Sequence, residues 1–239
     1  MTAASFDSPQ VDETPEPPAG NPELTEDLAL SLLQRADLSP DVIERICKNS
    51  SLLKSRKVKL AALAHPKTPR HVALPMLRQL FTFDLMRVAL TPTVLADIKI
   101  AAEQALIHRL ESVSLGEKIS LARQASGRIA GELLLDSEPK VVDAAFENSR
   151  LTEAQIIQAI MRPHTPASFL ECVGQHADWC QRREVQIALL RNAKTPLAQA
   201  IELARSLPVS LVREILPTSN LPMNVKDHLE TELLQRSEL

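Results

Sequence analysis

The sequence predicts an all-α chain of stacked helical repeats, an α-solenoid, and three observations predict it. Aromatic residues are scarce, with five Phe, one Trp and no Tyr, whereas Ala, Leu, Gln, Glu and Arg are plentiful. Aromatic and β-branched residues favour strands, and the abundant ones favour helix. Five Gly stand against seventeen Pro, a balance that suits helices parted by short Pro-marked turns better than hairpins. Apolar residues also recur with helix spacing in a pattern that repeats along the chain.

The N-terminal end reads differently from the rest. Residues 1–22 hold Pro9, Pro15, Pro17, Pro18 and Pro22 among Asp7, Asp12, Glu13 and Glu16. Few apolar side chains accompany them, so burial cannot offset the entropy of ordering and a disordered acidic tail is expected. With neither a basic start nor an apolar run, this end is not expected to be a secretory signal. No stretch of about 18 apolar residues predicts a membrane span. Cys47, Cys172 and Cys180 are odd in number and lack CxxC spacing, which predicts reduced thiols in a cytoplasmic protein. Helical periodicity opens at Leu24, Leu28, Leu32, Leu33 and Ala36, and the helical-repeat domain is placed at 23–239.

Three segments share one register: Val58 to His65, Val141 to Asn148 and Val185 to Asn192. Each begins with Val, carries small or apolar residues three and four positions on (Ala61/Ala62, Ala144/Ala145, Ala188/Leu189) and ends in His or Asn. Positions i, i+3 and i+4 share a helix face, and Ala lets the next helix come close. Asn at the end suggests a C-cap in the left-handed region. A new start follows each segment at Thr68-Pro69, Leu151-Thr152 or Thr195-Pro196, with Thr expected as N-cap and Pro as first helical residue. A second apolar helix comes next: Val72/Leu74/Leu77, Ile156/Ile157/Ile160 and Ile201/Leu203/Ala204. Ser39-Pro40, Thr91-Pro92 and Thr165-Pro166 extend the series of starts. Ser114-x-x-Glu117 and Thr152-x-x-Gln155 have the form of capping boxes. A last copy is expected near Val209, with a further start at Asn220-Leu-Pro222.

The units Val58 to Leu80, Val141 to Met161 and Val185 to Leu207 resemble the leucine-rich repeat variant and HEAT-like α-solenoid families, through the pattern V-x-x-A-A-x-N-x-x-T-P-x-x-x-L-x-x-L. The resemblance implies a superhelix of paired helices with a partner-binding surface, and no particular reaction. The variant-repeat family also implies a cysteine-ligated iron–sulfur cluster ahead of the repeats. Only Cys47 lies in that region here, so the cluster is not carried over.

Few residues suggest chemistry. Cys172, His176 and Cys180 at i, i+4 and i+8 offer three soft ligands. With Phe169, Val173 and Trp179, however, they form an amphipathic stripe that predicts a core-facing helix, so no metal and no cofactor is expected. Gly127 and Gly131 suggest close helix–helix contact, the alternative being approach of a ligand. His65, His71, His108, His164 and His228 are scattered, and no HExxH, GxSxG, GxxxxGK or GxGxxG motif is present. No catalytic residue is assigned, although residues distant in sequence can still assemble a site.

Charge supplies the remaining feature. Between residues 45 and 83 lie Arg45, Lys48, Lys54, Arg56, Lys57, Lys59, Lys67, Arg70 and Arg78, with no Asp or Glu. The first 34 residues carry seven acids and no base, and omitting them shifts the formal charge from −3 to +4. The basic stretch is either a solvated face or a patch for an anionic protein, nucleic acid or the chain's own tail. The expected function is a non-catalytic protein–protein interaction scaffold. A nucleic-acid-binding or base-processing HEAT-like protein using the 45–83 region is the alternative, against which the scarcity of aromatics and a pI near 6.1 both count. An enzyme on a HEAT-like scaffold is the third reading.

Overall fold

The computed structural model describes residues 24–237, and all of the regular structure among them is helical. The expected disordered tail at 1–22 lies outside the described residues. In order, the helices are α1 (Glu26–Leu33), α2 (Pro40–Lys48), α3 (Arg56–Ala64), α4 (Arg70–Leu77), α5 (Thr82–Leu90), α6 (Ala96–Ile107), α7 (Leu115–Gln124) and α8 (Gly127–Leu133). They continue as α9 (Pro139–Phe146), α10 (Glu153–Ile160), α11 (Ala167–Gln175), α12 (Arg183–Arg191), α13 (Leu197–Ser206), α14 (Val209–Thr218) and α15 (Met223–Ser237). Short 3-10 turns at Leu52–Lys54 and Leu110–Ser112 complete the set. No described helix is long and apolar enough to cross a membrane.

Most of these helices span only two to three turns, too short to be stable alone, so packing must hold them. Each main contact joins a helix to the next or the next but one. The longer steps run from α1 to α3 to α5, from α4 through α6, α8, α10 and α12 to α14, and from α7 to α9 and α13 to α15. One hydrophobic cluster follows this path from Ala29 to Leu233.

The repeated apolar register is what fills that cluster. Val58, Ala62 and Leu63 on α3, Val141, Ala144 and Ala145 on α9, and Val185, Ala188 and Leu189 on α12 are all buried. Ala61 departs from the register and is only half-buried. In the following helices the buried stripe is Ala73, Met76 and Leu77 on α4, Ile156, Ala159 and Ile160 on α10, and Ala200, Leu203 and Ala204 on α13. Val72, Leu74, Ile157 and Ile201 flank it as partly buried neighbours.

The polar residues of the repeat act differently from expectation. No described residue adopts a positive φ, so the terminal Asn and His are not left-handed caps. They tie the end of one helix to an earlier part of the chain. Asn148 Nδ2 donates to the carbonyls of Ala122 at 2.7 Å and Ala125 at 3.1 Å, while its Oδ1 accepts the Arg150 N–H at 2.8 Å. His65 lies 3.0 Å from the Arg35 carbonyl through Nε2 and accepts the Lys67 N–H at Nδ1, 3.1 Å away. These two bonds together require the tautomer protonated at Nε2.

Thr is likewise not the N-cap at its Thr-Pro sites. Pro69, Pro166 and Pro196 hold the cap positions of α4, α11 and α13. Thr68, Thr165 and Thr195 are buried behind them and donate back to Ala62, to Ala159 at 2.6 Å and to Leu189 at 2.5 Å. Each Thr thereby adds a side-chain bond to a last-turn carbonyl that also accepts a backbone N–H, from His65, Arg162 and Asn192 in turn. Thr91 is the C-cap of α5, and α6 begins only at Ala96. Ser39-Pro40 does start α2 as expected, and Ser114 with Glu117 and Thr152 with Gln155 form the two capping boxes.

Candidate interaction surface

The nine bases between 45 and 83 spread over several elements. Arg45 and Lys48 occupy the last turn of α2, where Lys48 Nζ sits 2.7 Å from Glu44 and holds that carboxyl below the usual range. Lys54 ends the first 3-10 turn and is exposed. Arg56, Lys57 and Lys59 follow at the start of α3, where a helix turns about 100° per residue and sends neighbours in different directions. Arg56 reaches α5 and grips Asp84, with Nη2 at 2.6 Å and Nε at 2.9 Å. Lys59 bonds Gln79 beyond α4 at 3.2 Å. Lys57 faces a groove between α3 and α5. Lys67 lies in the turn after α3, Arg70 opens α4 with its Nε 3.7 Å from Asp97, and Arg78 caps the C-terminus of α4.

Carboxylates outside the stretch therefore take up part of its charge. Glu44 and Asp84 stand immediately on either side of the acid-free window, and the fold turns both back onto it. Asp84 is almost fully buried, at 1% exposure, so Arg56 is what compensates its charge.

The groove between α3 and α5 has a volume of about 290 Å³ and is lined by Leu60, Ala61 and Ala64 of α3 and by Val88, Thr91 and Val94 of α5 and the residues after it. Lys57 and Arg87 complete its walls, and both are exposed. Neither makes a salt bridge among the described residues. Ala61, the position that breaks the repeat register, is part of the floor. Arg87 falls outside the basic window because Asp84 closes that window. The signal for it is the Arg56–Asp84 pair, which removes Asp84 from the charge balance around the groove.

The Cys172–His176–Cys180 stripe is not a single helical face. Helix α11 ends at Gln175, and His176 is its C-cap. Phe169, Val173 and Trp179 are buried, but Cys172 is exposed and Cys180 half-exposed, which corrects the expectation that the cysteines face the core. His176 Nδ1 accepts the Asp178 N–H at 3.3 Å, and its ring packs 4.9 Å from that of Phe146. Arg182 lies 4.2 Å over the Trp179 ring, a cation–π contact that covers the indole. Among the described residues no three His, Cys, Asp or Glu side chains are grouped to hold a metal ion.

Gly127 and Gly131 allow a close crossing, as their spacing suggests. A methyl group built at Gly127 would run into the backbone carbonyl of Arg150, and one at Gly131 would press on the Gln155 stem at 3.1 Å. The space beside α8 is filled by the protein itself. The chain matches no protein-family profile, no curated protein and no solved structure.

Proposed function

We propose that this chain is a non-catalytic protein-interaction scaffold, a superhelix of repeats of the leucine-rich repeat variant or HEAT-like kind. The observation that carries the reading is the recurrent junction. An Asn or His at a helix end bonds a carbonyl of an earlier unit, and a buried Thr bonds back to the preceding helix, at His65/Thr68 and again at Asn192/Thr195. Ion pairs between units support it, with Arg162–Glu132, Arg182–Glu153 and Arg205–Glu232 each joining residues 27 to 30 positions apart. A chain stacked this way exposes an extended grooved surface, and such surfaces serve recognition. The three cysteines are free thiols, which supports a cytoplasmic setting.

The test is affinity capture from native lysate with nuclease treatment. A protein retained in stoichiometric amount after nuclease supports the scaffold reading. Nucleic acid as the retained species overturns it in favour of the second reading, which the basic 45–83 region favours. For that second reading, retention on DNA must fall steeply with salt as counterions are released.

A further inference from the structure

We propose that the groove between α3 and α5 docks an acidic segment of a partner protein. An aliphatic side chain sits on Leu60, Ala61, Val88 and Val94, and flanking carboxylates pair with Lys57 and Arg87. The inference rests on the interaction reading above and names the site and the chemistry of the partner.

Charge complementarity is the first argument. Helix α3 and all of residues 45–83 carry no acid. The single acid of α5, Asp84, is buried and engaged by Arg56. The next acid on the chain, Asp97, lies toward Arg70 on α4. No carboxylate lines the groove, and its two cations are exposed. Of the other bases around it, Arg56 and Lys59 are bonded to Asp84 and Gln79 and Lys99 to the Pro92 carbonyl, which leaves Lys57 and Arg87 as the docking charges.

The floor decides between partner classes. Ala61 and Ala64 give depth, and Leu60, Val88 and Val94 give an apolar lining. A purely anionic ligand leaves that lining wet, whereas an aliphatic side chain between carboxylates covers it and satisfies both cations. Nucleic acid fits less well. The groove has no aromatic wall on which a base could stack, and two cations are few for tracking a phosphate backbone.

The probe is a labelled synthetic peptide of Glu and Leu, measured by fluorescence anisotropy with the full chain. A Glu/Ser peptide of equal charge and a single-stranded oligonucleotide serve as comparisons. Saturable binding of the Glu/Leu peptide is expected at low salt. It should weaken strongly near 1 M salt, where screening acts within roughly 3 Å. The double variant Lys57→Glu/Arg87→Glu changes two exposed side chains, so its circular-dichroism spectrum should match the parent. Its affinity should fall by at least about tenfold, because like charges then face each other. Ala61→Met fills the floor without touching charge and should weaken the Glu/Leu peptide alone. Unchanged affinity in the double variant overturns the groove while leaving the scaffold reading intact. Equal binding of the Glu/Ser peptide overturns the apolar seat. Preference for the oligonucleotide, with the same dependence on Lys57 and Arg87, overturns both the peptide and the scaffold reading. Absence of any binding by the parent chain overturns the groove.

Discussion

Asn192 ties the end of α12 to the end of α10 through one side chain: Nδ2 donates to the Ile160 carbonyl at 2.5 Å while Oδ1 accepts the Lys194 N–H at 2.9 Å. Asn148 and His65 make the same pair of bonds at their own junctions. Truncation leaves a carbonyl and an N–H with no partner, and a buried group left unsatisfied costs about 1–3 kcal/mol. Asn148→Ala should therefore lower the unfolding free energy by about that amount, measured by urea denaturation, and Asn192→Ala by somewhat less because it is partly exposed. His65→Asn should cost less than His65→Ala, since Asn performs this task at two other junctions. Equal losses for the two His65 variants would show that ring packing matters there and the bonds do not.

The glycines give a prediction with opposite signs. Gly127→Ala drives a methyl group into the Arg150 carbonyl, which is backbone and cannot swing aside. Overpacking of this kind costs typically about 1–3 kcal/mol. At Gly116, in the first turn of α7, an added methyl group would meet nothing within 4 Å, and Gly→Ala in a helix gains up to about 1 kcal/mol. Thermal melts should move down for the first variant and up for the second.

The helical class and the buried stripes were legible because i, i+3, i+4 spacing of Val, Ala and Leu survives whatever lies on the other faces. Both capping boxes were legible for a related reason: their bonds join residues three apart. The roles of Asn148, Asn192 and the Thr-Pro threonines were not, because local rules for caps name a residue type and its usual partner. Here the partner of Asn192 is 32 residues away. The basic region misled in the same way. Asp84 sits just outside the window in sequence, yet the fold brings it against Arg56, 28 residues away. The groove needed the tertiary pairing of α3 with α5, which puts Lys57 and Arg87 on the walls of one groove.

Two ion pairs of the same region should differ sharply in worth. Lys48 is 74% exposed against Glu44 and the pair lies within one helix, so Lys48→Ala should cost at most about 1 kcal/mol. Arg56→Ala strands the Asp84 carboxylate, which is 1% exposed. Losing the partner of a buried charge destabilises far more than losing one partner of an exposed pair, so Arg56→Ala should be clearly the worse of the two. Asp84→Asn combined with Arg56→Ala should recover part of the loss. If the two single variants melt together, Asp84 gains enough water without Arg56, and the contrast fails.

Cys47 sets a pH dependence whose sign follows from its burial. Desolvation, with the nearby Glu44 carboxylate adding to it, pushes the thiol up from 9.0 to about 11. The folded state thus holds the proton more tightly than the unfolded chain. Below about pH 9 both states are protonated and the contribution is fully present. As pH rises from there toward 11, the unfolded chain ionises first and stability drains away, by about 1.4 kcal/mol per pH unit at the steepest. The comparison that isolates this effect is the parent against Cys47→Ala, each unfolded by urea at about pH 8 and about pH 10.5. The variant is less stable at the lower pH because of the cavity, and the gap should narrow at the higher one. A gap that stays constant across this range would mean that water reaches the Cys47 thiolate in the folded protein. A thiol reagent at neutral pH gives an independent reading: Cys172 and Cys180 should be modified in the native protein, and Cys47 only after unfolding.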